Sequence, residues 1–350
     1  MVHIKDIVSL ASQKGASDIH LIAGLRIKCR KDGQIVDLAS NVLTSEDCES
    51  LAKEIAGNEY KKIEIMGELD CGGVIADKRV RINLFRQQGS VSAAIRILSD
   101  KIPELDVLGL PNVVSTFPNY KKGIVLVTGE TGSGKSTTLA AILDKINHTR
   151  NDHIITLEDP IEYVYQSDKS IINQREIGKD TESYGMGLRA ILREDPDVIL
   201  IGEMRDLETI ETALTAAETG HLVFATLHTN SAVSSIDRIV SVFPENRQQQ
   251  IRLQLSTTLK AVLSQQLLIR ASGSGRTVAA EVMIVTPAIQ NLIREGKTPQ
   301  MQSFMLGSFD QGSITMDNCL IKMAQEGKIK TETAIQAAID EDYVEKKLRC

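Results

Sequence analysis

The sequence predicts an α/β protein in which a small α+β domain precedes a larger domain built around a mostly parallel sheet. Its 350 residues are enough for two domains that each bury a core. Residues 1–99 contain a helix pattern, a hairpin, a second helix pattern and three strand patterns. In residues 117–350, strand and helix patterns alternate, as they do when helices cover both faces of a parallel sheet. Residues 100–116 contain two prolines and a glycine but no long periodic run, which indicates an interdomain linker.

Composition excludes several classes of protein. Charged residues make up 25% of the chain and apolar residues 42%, as in ordinary soluble globular proteins. The net charge of −6 gives no general attraction to nucleic acid or to anionic lipid, and no apolar run approaches the roughly 18 residues of a membrane span. Because the five cysteines include no C-x-x-C pair, we expect no zinc site, no disulfides and a reducing compartment. We therefore expect a cytoplasmic protein that does not bind nucleic acid.

The first domain opens with an amphipathic helix and continues into strands. Residues 3–14 place apolar side chains on one side of a helix, and Asp32-Gly33 is a turn signal between two strand patterns. Ser45 and the acidic residues after it begin a second helix, which Gly57-Asn58 ends. Further strands are predicted at residues 17–21, 68–75, 78–86 and 90–98.

Two arginines in this domain face away from its predicted core. Along the strands at 78–86 and 90–98, apolar residues alternate with polar ones, which places Arg81 and Arg96 opposite the apolar side chains. Two cations on neighbouring strands can converge on an anion. Solvated strand arginines fit the same pattern, so the residues alone leave both interpretations open.

A glycine-rich loop near the start of the second domain is typical of phosphate binding. Gly129, Gly134, Lys135 and Ser136 fill the spacing G-x-x-x-x-G-K-[ST] between a predicted buried strand and a predicted helix. Such glycines allow positive φ and let backbone N–H groups approach phosphate oxygens, while the lysine supplies a charge and the serine a hydroxyl for Mg²⁺. We predict binding of ATP with Mg²⁺; an ordinary glycine-rich turn is the alternative. The predicted nucleotide-binding residues are Gly129, Glu130, Thr131, Gly132, Ser133, Gly134, Lys135, Ser136 and Thr137.

Three further strands of this domain end in residues that can serve hydrolysis. The first delivers Glu158, Asp159 and Glu162, whose carboxylates repel one another unless they meet a cation. They fit an attacking water or a Mg²⁺ contacted through water, with a solvated acidic loop as the alternative. The second, at 198–201, runs into Glu203, which is placed to orient or deprotonate the attacking water rather than merely to cap the next turn. The third precedes His228, which we predict to sense the γ-phosphate; a structural histidine is the alternative.

The remainder of the second domain is predicted to be mostly helical. Residues 232–243 and 246–268 are each predicted as one helix, the second of them long and rich in Gln and Leu. A further strand is predicted at 278–285. From Pro287 onwards, the apolar spacing indicates helices separated by glycines.

Three longer segments follow the glycine loop in a recognisable order. LEDPIEY (157–163), DPDVILIGEMRD (195–206) and GHLVFATLHTN (220–230) resemble the acidic box, the Walker B motif and the histidine box of the secretion ATPases of the type II and type IV pilus superfamily. SDIHL near the start and AIQNLIREG near the end extend the likeness to the PilT-like group, the pilus-retraction ATPases of twitching motility. That late motif usually has arginine where this chain has Gln290.

The resemblance implies a homohexameric ring in which a PAS-like N-terminal domain joins a RecA-like P-loop ATPase domain. It implies that Arg81 and Arg96 close over the nucleotide and that Glu203, Glu158 and His228 are catalytic. The implied activity is ATP hydrolysis coupled to disassembly and retraction of a type IV pilus. The implied partners are the inner-membrane platform protein of the pilus machine and, indirectly, the pilin fibre, with the protein bound peripherally at the cytoplasmic face.

Other functions are compatible with parts of this pattern. A pilus-assembly or type II secretion ATPase usually has a longer N-terminal region and a four-cysteine zinc module, and an accessory PilU-like retraction ATPase is a further alternative. A hexameric nucleic-acid motor calls for basic or aromatic residues along a channel, whereas aromatic residues make up only 3% of this acidic chain. A nucleotide-gated adaptor without turnover is the non-enzymatic alternative.

Overall fold

The computed structural model describes residues 3–31, 33–98 and 101–349. Contacts between residues divide the chain into two compact units, one that extends to Lys101 and one that begins at Ile102. Each unit has its own buried core.

Most of the segment predicted as an interdomain linker belongs to the second unit. Leu105, Val114 and Phe117 are buried in one apolar cluster with Val125 of that unit. Two short 3₁₀ helices, Leu105–Val107 and Asn112–Asn119, carry these side chains. The location of a hinge within residues 100–116 stays a prediction.

The first unit consists of an antiparallel sheet and three helices. Their bounds are α1 (Ile4–Gln13), β1 (Asp18–Leu21), β2 (Arg26–Lys31), β3 (Gln34–Val42), α2 (Ser45–Ala56), α3 (Tyr60–Met66), β4 (Glu68–Ile75), β5 (Lys78–Gln87) and β6 (Ser90–Ile97). The strands lie in the order β3-β2-β1-β6-β5-β4. Helix α1 buries Ile4, Ile7, Val8 and Ala11 on one side, as its apolar spacing predicts.

The predicted elements of the first unit agree with the structure, with one omission. Helix α3 was not predicted, because it is one short stretch with only Tyr60 and Ile63 buried. Asp32 of the predicted turn lies outside the described residues, while β2 and β3 pair antiparallel on either side of it. A capping box between Thr44 and Asp47 begins α2.

Arg81 and Arg96 are direct cross-strand partners on β5 and β6. Both side chains are exposed and lie opposite the buried Val80, Ile82 and Ile95, as the alternation predicts. The Cβ atoms of such partners are roughly 5 Å apart. Two positive charges therefore share a small area of the exposed face, and Nε of Arg96 donates to Oδ1 of Asp18 on β1 at 2.9 Å.

The second unit is built on a seven-stranded sheet. Its strands are β7 (Gly123–Thr128), β8 (His153–Glu158), β9 (Ile171–Glu176), β10 (Val198–Ile201), β11 (Leu222–Leu227), β12 (Leu259–Ile269) and β13 (Arg276–Ile284). They lie in the order β13-β12-β7-β11-β10-β8-β9. Neighbouring strands pair in parallel, except that β12 and β13 form an antiparallel pair at one edge.

Helices cover both faces of this sheet. They are α4 (Lys135–Thr149), α5 (Tyr184–Ile191), α6 (Leu207–Glu218), α7 (Ala232–Ser241), α8 (Glu245–Thr258), α9 (Pro287–Glu295), α10 (Met301–Gly307), α11 (Met316–Gln325), α12 (Thr331–Gln336) and α13 (Glu341–Arg349). Along β7, Leu126 packs in the cluster that contains α6, and Val127 packs in the cluster that contains α4. Because successive strand residues point to opposite faces, the two clusters lie on opposite sides of the sheet. Across the described parts of the chain, no helix is both long and apolar enough to cross a bilayer.

The single long helix predicted for residues 246–268 is wrong. Helix α8 ends at Thr258, and the chain continues as β12, which pairs with both β7 and β13. Residues 261–265 are buried without interruption. A strand covered on both faces shows no strict polar and apolar alternation, so LKAVLSQQLLI gives no period-2 signal that would distinguish it from the continuation of α8.

Candidate nucleotide site

The carboxyl ends of four parallel strands bring the predicted site residues to one edge of the sheet. Strand β7 leads into the glycine loop, β11 into His228, β10 into Glu203, and β8 ends at Glu158. The four strands are neighbours in the order β7-β11-β10-β8. Ligands of open α/β sheets bind at this edge. Arg81 and Arg96 belong to the first unit.

Gly129 cannot carry a side chain. Its φ of +138° is a conformation that residues with a Cβ rarely adopt. An added Cβ would lie 2.4 Å from the carbonyl oxygen of Gln265 and 2.6 Å from Oγ of Ser133. Gly132 and Gly134 also have positive φ, but no neighbouring atom comes close to the position of their missing Cβ. The predicted positive φ is confirmed at all three glycines.

Lys135 lies folded against the loop that it follows. Its Nζ donates to the carbonyl oxygens of Gly129 at 2.8 Å and of Glu130 at 2.9 Å. Burial lowers the pKa of Lys135, and the negative charges of Glu203 and Glu162 partly oppose that effect. Lys135 is also the first residue of α4, whose N-terminus favours anions. Phosphate oxygens can replace the two carbonyl contacts of the ammonium group.

Strand β12 supports the glycine loop from behind. The hydroxyls of Thr128 and Ser264 are 2.8 Å apart, and Nε2 of Gln265 donates to Oγ1 of Thr138 at 2.9 Å. Oε1 of Gln265 and Oγ of Ser133 are buried and have no hydrogen-bond partner among the residues the structure describes. The loop thus retains polar groups that water or nucleotide can satisfy.

A cavity of about 730 Å³ adjoins the loop. Ser133, Gly134 and Thr137 line one side of it, and Arg270 and Arg276 of the β12–β13 hairpin line another. Small-molecule sites commonly have volumes of ~300 to 1,000 Å³. The cavity therefore has room for the part of a nucleotide that extends beyond its phosphates.

Both carboxylate oxygens of Glu203 have partners. Nε2 of His228 lies 3.3 Å from Oε1, and a guanidinium nitrogen of Arg205 lies 2.7 Å from Oε2. Burial by itself raises the pKa of Glu203, but the hydrogen bond and positive charge of Arg205, together with the neighbouring imidazole of His228, outweigh it and hold the pKa below its ordinary value. Thr226 anchors this segment, because its hydroxyl donates to the carbonyl of Gly202 and its own carbonyl accepts from Met204 at 3.1 Å.

Glu158 is a partly buried residue whose carboxylate accepts hydrogen bonds from two neutral side chains. Its Oε1 accepts from the Thr156 hydroxyl at 2.7 Å and from the Gln174 amide at 3.2 Å. Burial raises the pKa of Glu158, and these two hydrogen bonds act in the opposite direction. The carboxyl group is therefore more readily protonated than that of Glu203.

The protein side chains alone do not form a metal cage. Asp159 is exposed beside Glu158, and the described portion of the chain contains no cluster of three or more His, Cys, Asp or Glu residues suited to a metal ion. Mg²⁺ in nucleotide sites usually takes one or two protein ligands and completes its shell with phosphate oxygens and water. The predicted Mg²⁺ contacts of Ser136, Glu158 and Asp159 fit that type of site and stay predictions.

Sequence reasoning missed several residues of this site. Arg205 lies two positions after Glu203 in the segment DPDVILIGEMRD, so its proximity to the Glu203 carboxylate could have been predicted. Gln265 lies in the segment predicted as a helix, so nothing local indicated that it supports the loop. Gln174 belongs to β9, which was not predicted because this edge strand has few buried residues.

The sheet order, the glycine loop and the acids at the strand ends define a P-loop ATPase with a RecA-like sheet. The family model "Type II/IV secretion system protein" matches residues 1–278. The chain belongs to this family.

Individual relatives include pilus proteins. The chain is 45% identical to the type IV pilus retractation ATPase PilT of Pseudomonas aeruginosa over 96% of this chain and 98% of that protein. It is 48% identical to a twitching motility protein of Neisseria gonorrhoeae over 74% of this chain and 70% of that protein. The crystal structure of the pilus retraction motor PilT with bound ADP matches with a TM-score of 0.93 at 48% identity, covering 99% of this chain and 100% of that one. The predicted family resemblance and fold class, a RecA-like P-loop domain preceded by a smaller PAS-like domain, are confirmed.

Proposed function

We propose that this chain hydrolyses ATP to disassemble and retract a type IV pilus, the process behind twitching motility. The observation that carries the proposal is the likeness to the retraction motor PilT over nearly the whole chain. The geometry agrees with it, because the glycine loop, Glu203 and His228 meet at one sheet edge.

The phosphates of ATP bind at the glycine loop and the N-terminus of α4. Lys135 exchanges its contacts with the carbonyls of Gly129 and Glu130 for contacts with the β- and γ-phosphates. Residues 129–137 then surround the phosphates with backbone N–H groups. The adjoining cavity holds the nucleoside.

Glu203 orients and deprotonates the attacking water. The carboxylate of Glu203 is ionised at neutral pH, the state in which a general base can accept a proton. His228 contacts Oε1 of the same carboxylate and senses the γ-phosphate. Glu158, which ends the neighbouring strand β8, supplies a second carboxylate for the attacking water. Hydrogen bonds from Thr156 and Gln174 hold this carboxylate in place.

Mg²⁺ accompanies the nucleotide in this proposal. The hydroxyl of Ser136 would hold it directly, and the carboxylates of Glu158 and Asp159 would hold it through water. When bound, Mg²⁺ neutralises the charge that develops on the β- and γ-phosphate oxygens.

Arg81 and Arg96 supply further positive charge to the transferred phosphoryl group. The support is their direct pairing on an exposed strand face, where the two guanidinium groups can converge on one anion. Correctly placed arginines of this type raise the rate by ~10³- to 10⁵-fold.

The working assembly is a homohexamer at the cytoplasmic face of the inner membrane. It acts on the platform protein of the pilus machine and, through that protein, on the pilin fibre. Residues 1–99 and 117–350 form the two domains of each subunit, and residues 100–116 contain the hinge. The support for this assembly is the family relationship.

Deletion of the gene in a piliated host tests the direction of the motor. The proposal predicts more surface pili and loss of twitching, both restored by the parent gene and not by the Glu203→Gln gene. Bald cells would instead indicate an assembly ATPase. Twitching retained at a reduced level would indicate an accessory retraction ATPase.

A further inference from the structure

One buried carboxylate joins the first turns of two helices that are distant in sequence. Oε1 of Glu281 accepts a hydrogen bond from the N–H of Ala232 at 2.6 Å, and Oε2 accepts one from the N–H of Met316 at 3.2 Å. Ala232 is the first residue of α7, and Met316 is the first residue of α11. A single side chain on β13 therefore fixes the starts of both helices.

Glu281 is costly to bury and must be held by these contacts. The residue is 3% exposed. Burial, helped by the like charge of Asp317, raises the pKa of Glu281, and the hydrogen bonds from Ala232 and Met316 act in the opposite direction. Two helix N-termini stabilise a carboxylate through their N–H groups and dipoles. Removal of Glu281 would leave both N–H groups buried without a partner.

Helix α7 begins directly after the loop that carries His228. Strand β11 holds the start of this loop, residues 228–231, and the first turn of α7 holds its end. The hydroxyls of Thr229 and Ser235 are 2.6 Å apart, and Ser231 caps α7 together with Ser234. These contacts lie within the loop and α7, so they move with that segment. The hydrogen bond from the N–H of Ala232 to Glu281 connects the loop and α7 to β13.

We propose that Glu281 is a positioning residue for His228. By holding the start of α7 against β13 and α11, Glu281 sets the separation between Nε2 of His228 and Oε1 of Glu203. This inference rests on the proposed role of His228 in hydrolysis. The position of the histidine thereby depends on the start of α11, a helix whose later residues Cys319, Lys322 and Met323 line the cavity beside the glycine loop.

Asp317 offers a matched control for a buried carboxylate. It is 4% exposed and accepts hydrogen bonds from the N–H groups of Ile339 at 2.8 Å and Asp340 at 3.2 Å. Asp317 thus also satisfies two backbone N–H groups and belongs to α11, but its recorded hydrogen bonds join α11 to the start of α13 rather than to α7. Asp317→Ala should cost comparable stability without loosening the histidine loop.

A double-mutant cycle tests the inference. The full-length variants Glu281→Ala, His228→Ala and their combination are compared for kcat and KM of ATP hydrolysis and for thermal unfolding, as are Asp317→Ala and its combination with His228→Ala. We expect Glu281→Ala to lower kcat about tenfold or more at unchanged KM, because small misplacements of catalytic groups are costly. In the His228→Ala background, the same change should lower kcat less than about twofold, as for residues that act through one another. Asp317→Ala should lower the unfolding temperature but leave kcat within about twofold.

Two results would overturn the inference. One is an equal fall in kcat on Glu281→Ala with and without His228; the other is a fall in kcat on Asp317→Ala as large as that on Glu281→Ala. If Glu281→Ala does not fold, Glu281→Gln takes its place in the cycle with the same criteria. The amide oxygen of Gln can still accept from one of the two helix N–H groups, but its NH₂ group is a donor and cannot accept from the other. An unchanged kcat in His228→Ala alone would instead show that the proposed role of His228 is wrong, and this inference with it.

Discussion

Nε2 of His228 lies 3.3 Å from Oε1 of Glu203, so the residues that follow two neighbouring parallel strands meet at the centre of the site. Arg205 occupies the second oxygen of the same carboxylate at 2.7 Å. Each carboxylate oxygen offers two lone-pair sites, so Glu203 can accept a hydrogen bond from a water while both partners stay in place. Of the two partners, Arg205 has the more exposed side chain, at 71% against 41% for His228.

Replacing Glu203 with Gln should abolish turnover while ATP still binds. The amide has the shape of the carboxylate but cannot accept a proton, and loss of a general base typically costs ~10²- to 10⁴-fold in kcat. Phosphate release measures kcat, and titration with a fluorescent ATP analogue measures affinity. Glu218→Gln, at the far end of α6, is the control with the same change of charge. A kcat above about a tenth of the parent value would contradict the assigned role.

Replacing Arg205 with Ala should shift the acidic limb of the pH profile to higher pH. The hydrogen bond and charge of Arg205 lower the pKa of Glu203 against the opposing effect of burial, so their loss raises that pKa. A base acts only when deprotonated, so the activity must then appear at higher pH. The profile of kcat/KM against pH measures the shift. Arg238→Ala, an exposed arginine of α7, should leave the limb in place, and an unmoved limb in Arg205→Ala would show that Arg205 does not tune the base.

Replacing Arg81 or Arg96 with Ala should lower kcat by roughly 10³-fold or more if these side chains stabilise the transferred phosphoryl group. The two residues are paired on exposed positions, so the substitutions should leave the fold intact. Thermal unfolding checks that expectation, and phosphate release measures kcat. Arg86→Ala, another exposed arginine of β5, serves as the control. If all three variants behave alike, Arg81 and Arg96 are ordinary solvated arginines.

Replacing Gly129 with Ala should destroy nucleotide binding. The new Cβ would clash with the carbonyl of Gln265 at 2.4 Å and with Oγ of Ser133 at 2.6 Å. Backbone strain at its positive φ adds a cost of about 1 to 3 kcal/mol. Gly132→Ala has positive φ but meets no atom within 4 Å, so it should weaken binding less. Titration with nucleotide measures the affinity of each variant. An equal loss of affinity in both would show that the clash at Gly129 is unimportant.

Much of the candidate site could be predicted from sequence because its parts are local. The glycine loop is a contiguous segment whose spacing requires particular backbone conformations, and Gly129 adopts the predicted positive φ. Glu158, Glu203 and His228 each follow a short apolar strand. Parallel strands of one sheet end at the same edge, so their approach to one another could also be predicted.

Other features could not be predicted because their causes lie far away in sequence. Residues 259–269 form a strand because β7 and β13 pair with them on either side, and no local alternation distinguishes this segment from a helix. Because this segment was taken for a helix, the support that Gln265 gives to the glycine loop was not predicted either.

By itself, the sequence determined the fold class, the phosphate-binding loop and the family, because each depends on residue types at short and regular spacing. Only the tertiary structure decided which partners occupy the oxygens of Glu203, which strand supports the loop, and that Glu281 joins α7 to α11. The physical reason is that a hydrogen bond needs two groups within about 3 Å of each other. For residues that are 35 to 49 positions apart along the chain, such as Glu281 with Met316 and Ala232, only the packing of the intervening elements can bring them that close.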